Sequence, residues 1–160
     1  MNNIGKSERE SQNRIIQLFK NELQYTYLGN WEEKPRSLPV EDNLLLDFLI
    51  NSQGYSTIVA NKAVLELVKA ATNVSSGLYD ANKEVYKLLR YGVAVREELG
   101  EQKERALFIN WKEPHKNNFA IAEEVTVTGQ QSKRPDIVIY VNGIALGIIE
   151  LKNSRKGVEW

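Results

Sequence analysis

Ile15, Leu18, Phe19 and Leu23 recur at helical spacing behind Ser7 and Glu10, which stand at capping-box distance, and the pattern predicts an amphipathic helix over about 8–24. Trp31, Pro35 and Pro39, set among charges, break that period, so 29–39 reads as an ordered loop with Trp31 as a packing anchor. Pro39 can open a second helix through Leu44, Leu45, Phe48 and Leu49 to Gly54. Ser56 can cap a third, through Val64, Leu65, Leu67 and Val68, and Asp80 a fourth, whose Val85, Leu88 and Leu89 share a side before Gly92 stops it. The period then changes from helical to alternating. Segments 93–97, 106–111 and 119–128 read as strands. The strongest strands are 137–141 and 144–151, apolar on both faces and therefore interior, joined by Asn142-Gly143, a pair that tolerates the positive φ of a tight hairpin.

A chain of 160 residues supports one ordinary core. The expectation is a single mixed α/β domain over 1–160, mainly helical to about 92 and mainly strands over about 93–152. Cysteine is absent and His115 is the only histidine, which removes disulfides, thiolate nucleophiles, iron–sulfur clusters and His-rich metal centres. His115, between Pro114 and Lys116, reads as an exposed bystander. Lys+Arg and Asp+Glu each number 21, so the formal net charge is zero and any contact with a polyanion must be a local patch. The N-terminus lacks the apolar run of a signal peptide, and no window approaches the roughly 18 apolar residues of a membrane span, which predicts a soluble, cytoplasmic protein. Neither common nucleotide-binding loop occurs, so an ATPase or dehydrogenase reading has no support.

Carboxylates, lysines and hydroxyls must then carry any chemistry, and they collect at one end of the apolar hairpin. Arg134-Pro135-Asp136 opens it and Glu150-Leu151-Lys152 closes it. Charges at the end of a buried ribbon are costly unless paired, hydrated or metal-bound. Glu150 and Lys152 are two apart and share a face. Two carboxylates and a backbone carbonyl suit a hard divalent ion such as Mg²⁺, with an adjacent lysine to orient an attacking water. Register sets a condition: a strict two-residue turn pairs Val141 with Ile144 and leaves Asp136 opposite Ile149, on the face away from Glu150. Convergence therefore predicts a longer loop, a β-bulge or an irregular segment after Pro135. Carboxylate crowding further predicts that Asp136→Ala leaves the metal-free fold at least as stable. Lys133, Arg134, Arg155 and Lys156 flank the groups and are candidate phosphate contacts. Glu123 and Glu124 read as structural strand residues, one of them facing solvent.

Pro135-Asp136, thirteen residues and then Glu150-Leu151-Lys152 resemble the PD-(D/E)xK nuclease motif. The wider context is more specific. Residues 134–152 together with 118–127, the opening Ser-Glu-Arg-Glu-Ser-Gln helix and the stretch 78–92 resemble the N-terminal domain of the restriction subunit of type I restriction-modification enzymes, over nearly the whole chain. That resemblance implies a restriction-endonuclease-like mixed central sheet flanked by helices and a DNA endonuclease that uses Mg²⁺, with Mn²⁺ able to substitute. It makes Asp136 and Glu150 metal ligands, the Leu151 carbonyl a further ligand and Lys152 the residue that places the water. The acid of the first helix would fall on Glu8, with Gln12 one turn later. The partners implied are double-stranded DNA and the methyltransferase and specificity subunits, with no membrane. Relatives continue into a Gln-x-x-x-Tyr helix and an ATP-driven translocase, so a chain ending at Trp160 is expected to be a fragment whose use of ATP lies in other domains. Two alternatives stay open: another PD-(D/E)xK nuclease of resolvase or repair type, and a non-catalytic docking module in which the three charges serve structure only.

Overall fold

The computed structural model describes residues 8–75, 77–100, 102–128 and 132–152. In chain order its elements are α1 (Glu8–Gln17), β1 (Thr26–Asn30), α2 (Asp42–Asp47), α3 (Thr57–Thr72), α4 (Leu78–Tyr91), β2 (Val93–Val95), β3 (Glu104–Ala106), β4 (Phe119–Glu123), β5 (Ile137–Val141) and β6 (Ile144–Ile149). The chain is thus mixed α/β, with one four-stranded sheet in the order β1-β4-β5-β6 and a small β2–β3 pair among the described residues. Two units divide these elements, the first from 8–37, 119–140 and 146–152, the second from 38–118 and 141–145.

In the first unit, Ile16 of α1 and Phe19 just after it pack against Ile121 of β4 and Ile137 of β5, with Tyr27, Ile139 and Ile149 around them. The buried stripe runs from Gln12 and Ile16 of α1 to Phe19 just beyond it, whereas Leu18 and Leu23 are about half exposed. The expected helix over 8–24 is helical as far as Glu22, but it is not regular α throughout. After Gln17 the chain widens into a π-helical turn, Leu18–Glu22, where the Leu23 N–H bonds to the Leu18 carbonyl, and the wider turn rotates the later apolar positions off the core face. β1 occupies a stretch that the apolar pattern does not mark as strand. It runs parallel to β4, pairing Thr26 with Ala120 and Tyr27 with Ile121, and its register slips before Asn30 pairs with Glu123. Gly29 lies within that slip at φ +102°, a conformation that side chains resist and that interrupts the sequence alternation. Trp31 is buried as expected, its ring 5.8 Å from Tyr140 and under the Arg36 guanidinium at 4.4 Å.

The second unit packs α2, α3 and the β2–β3 pair around Leu45, Phe48, Leu49, Val59, Ala63, Leu67, Ala106 and Phe108. Ser56 caps α3, its hydroxyl accepting from the Val59 N–H at 3.2 Å. α2 starts at Asp42, after Pro39, and gives way to a π-helical turn at Phe48–Ser52. α4 begins at Leu78 behind Gly77, so Asp80 sits inside the first turn and does not cap it. Asn142 and Gly143 form the hairpin turn with φ of +53° and +83°. Asn142 is fully buried and fully bonded: its amide donates to Phe108 O and Asn117 Oδ1 at 2.9 Å, and its Oδ1 accepts from Asn118 N–H at 2.7 Å.

Candidate functional site

One polar cluster in the first unit lies under the N-terminal half of α1, where the buried stripe passes from Ile16 to Gln12. Glu123 ends β4 and follows Ile121 on the same face, so its carboxylate is carried under the helix. Its side chain is 6% exposed. Three donors satisfy it: Arg9 Nη1 at 2.8 Å and Gln12 Nε2 at 3.0 Å on one oxygen, and the Tyr27 hydroxyl at 2.5 Å on the other. Burial, the bond to Glu123 and the field of that carboxylate together push the Tyr27 phenol up to about 12. Glu124 follows in the left-handed region, φ +53°, which a non-glycine residue rarely adopts. Its carboxylate accepts from Gln12 Nε2 at 3.0 Å and pairs with Arg134 Nε at 3.1 Å.

Asp136 lies at the entry to β5 and is tied on both sides. Its carbonyl accepts the Glu124 N–H at 3.0 Å and Gln12 Nε2 at 3.2 Å, and its carboxylate accepts the Leu151 N–H at 2.5 Å. The Pro-Asp and Glu-x-Lys segments thus meet at the same end of the hairpin. The regular ladder ends at Ile149, two residues short of the expected 151, and the exposed Glu150 and Lys152 flank a half-buried Leu151.

The parity condition has a structural answer. Although the turn has two residues, Ile149 packs in the same cluster as Ile137 and Ile139, and a Cβ placed on Gly147 would lie 3.6–3.7 Å from Ile139. A strict two-residue hairpin would set 146 and 148 on that face; here Leu146 and Ile148 are exposed instead. Positions 147 and 149 therefore share the face of 137 and 139, the opposite parity from a strict two-residue count.

Other expected positions fare differently. Glu8 is exposed in the first turn of α1, and it is Gln12 that reaches the cluster. Arg134 is engaged by Glu124 and Glu32, so its charge is already neutralised, while Lys133 is exposed. Arg155 and Lys156 lie outside the described residues. Glu123 and Glu124 are the residues that sequence reasoning passed over: neither is free in solvent, with side-chain exposures of 6% and 17%. The available signal was Gln12, a polar residue one turn before Ile16 on an apolar stripe. Among the described residues no three His, Cys, Asp or Glu side chains form a ready metal cage.

Helix α1 on a mixed sheet, with the sheet's acids gathered at the hairpin end, defines a restriction-endonuclease-like α/β domain. The family described as the type I restriction enzyme R protein N terminus matches residues 5–159, and the chain belongs to it. It is similar to a Methanocaldococcus jannaschii protein named as the MjaIXP endonuclease subunit of a type I restriction enzyme, 28% identical over 90% of this chain and 15% of the relative. It is also similar to the type I restriction enzyme HindI endonuclease subunit of Haemophilus influenzae, 36% identical over 59% of this chain and 9% of the relative. The chain thus spans a small part of the length of these relatives. Among the described residues no helix is long and apolar enough to cross a membrane.

Proposed function

We propose that this N-terminal R-protein domain is a Mg²⁺-dependent DNA endonuclease module whose site is Asp136, Glu150 and Lys152. The observation that carries the reading is the 2.5 Å bond from the Leu151 amide to the Asp136 carboxylate, which joins the two halves of the motif at one hairpin end. The donors there are hard oxygens: one Asp136 oxygen left over from the Leu151 bond, the exposed Glu150 carboxylate and the Leu151 carbonyl. Mg²⁺ asks for no three-residue cage, because it is commonly held by one or two carboxylates with water completing the shell. Bound there, the ion would stabilise charge on the scissile phosphate and make water more acidic.

The protein's own part is positional. Leu151 N–H fixes Asp136, Asp136 and Glu150 supply the negative charge that retains the ion, and the Lys152 ammonium orients the attacking water. Attack forms a P–O bond to that water and breaks the P–O3′ bond, leaving a 5′-phosphate and a 3′-hydroxyl. Double-stranded DNA is the substrate, sequence choice resides in the specificity and methyltransferase subunits, and ATP-driven translocation belongs to regions outside these 160 residues. The test is a cleavage assay of the protein assembled with those subunits, DNA, Mg²⁺ and ATP. Glu150→Ala is expected to abolish cutting while ATP hydrolysis continues; cutting at the wild-type rate in that variant overturns the assignment.

A further inference from the structure

The Gln12 side chain reaches from α1 to the backbone of Asp136, and it does so from a buried position, 3% exposed. Three acceptors surround its Nε2: Glu123 Oε2 and Glu124 Oε1 at 3.0 Å and Asp136 O at 3.2 Å. A carboxamide nitrogen has two protons, which these three acceptors share, and an all-acceptor surround fixes the nitrogen end of the amide toward them. The same nitrogen keeps two neighbouring carboxylates bridged that would otherwise repel. Glu124 adds an independent sign of constraint. It holds a left-handed backbone while its N–H donates to the same Asp136 carbonyl at 3.0 Å. Strain of this kind persists where surrounding contacts over-determine it.

We infer that Gln12 is a positioning residue: its carboxamide, bridging Glu123 and Glu124, locks the Asp136 carbonyl in place and so aims the Asp136 carboxylate at the Leu151 amide and the 150–152 strand end. The inference rests on the proposed nuclease reading, yet part of it is visible without metal or DNA. Gln12 does not touch the reacting atoms; it acts through Asp136.

The experiment pairs two readouts on Gln12→Ala and on Gln12→Glu, which preserves size but replaces the donor with an acceptor. Asn13→Ala, exposed one residue along α1, is the control. The first readout is hydrogen exchange followed by mass spectrometry on the metal-free protein. Both Gln12 variants are expected to speed exchange in the peptide containing Leu151 by about tenfold, the equivalent of one lost hydrogen bond, with the β4 core peptide unchanged. The second is cleavage by the assembled protein against Mg²⁺ concentration, where the half-maximal concentration is expected to rise about 10- to 100-fold, the usual effect of losing a residue that orients a ligand. Equal acceleration in every peptide, or no change in either readout, overturns the inference. Selective exchange at Leu151 in a protein whose wild type cuts nothing with Mg²⁺ upholds the positioning role and sinks the nuclease reading alone.

Discussion

Glu123 is the residue at which long-range structure overrides local reading. Two adjacent glutamates at a strand end are, taken by themselves, an ordinary solvated pair, because the donors that satisfy Glu123, namely Arg9, Gln12 and Tyr27, lie 96–114 residues away along the chain. Glu123→Ala removes the acceptor of three buried or half-buried donors and is expected to cost about 2–3 kcal/mol in denaturant unfolding. Tyr27 makes a pH prediction. Its phenol is raised from 10 to about 12 in the folded protein, so the native state holds that proton more tightly than the unfolded chain does. The stabilisation is complete below pH 10 and is lost as pH rises through 12. Tyr27→Phe is expected to flatten the fall in urea midpoint across that window; an unchanged slope contradicts it. At Asp136 the structure reverses an expectation. Its carboxylate satisfies the Leu151 amide, so Asp136→Ala is expected to destabilise the metal-free fold by about 1 kcal/mol, where crowding alone argued for neutrality.

At the scale of elements, the features written in local chemistry were legible: the Ser56 cap of α3, the Gly92 end of α4, and the turn at Asn142-Gly143 all stand where their residue types put them. Ser56→Ala is expected to cost about 1 kcal/mol. Gly143 carries more, since a Cβ there would meet Glu41 O and Leu44 Cβ at 2.8 Å on a left-handed backbone. Gly143→Ala is therefore expected to lower stability by about 3 kcal/mol, measured by thermal or chemical unfolding. The elements that were not legible depend on partners distant in sequence. β1 has a short, Gly29-interrupted pattern and becomes a strand because β4 supplies a parallel neighbour across the long 31–118 connection. The π-helical turns after α1 and α2 leave no mark in an apolar period read at 3.6 residues, yet the first takes Leu23 off the buried face that Gln12 and Ile16 share.

For the whole molecule, the candidate site was legible as a motif but not as a geometry. Pro135-Asp136 and Glu150-Leu151-Lys152 could be read from residue spacing, whereas the face that β6 turns to Ile137 and Ile139, carrying Gly147 and Ile149, is set by packing that a two-residue turn count does not foresee. Arg134 is already engaged by Glu32 and Glu124, and the formal net charge of the whole chain is zero. On the proposed reading, DNA binding by this domain alone is accordingly expected to be weak and salt-sensitive in a filter or anisotropy assay. On the proposed reading Asp136 and Glu150 hold one divalent ion between them. Calorimetric titration of Mn²⁺ into the wild type, Asp136→Ala, Glu150→Ala and Lys152→Ala tests it most directly. The account predicts binding in the wild type, a loss of about tenfold or more in each acid variant, and near-wild-type affinity for Lys152→Ala, since an ammonium ligates no cation. A wild type that takes up no ion, or acid variants that bind as tightly as it does, would contradict it.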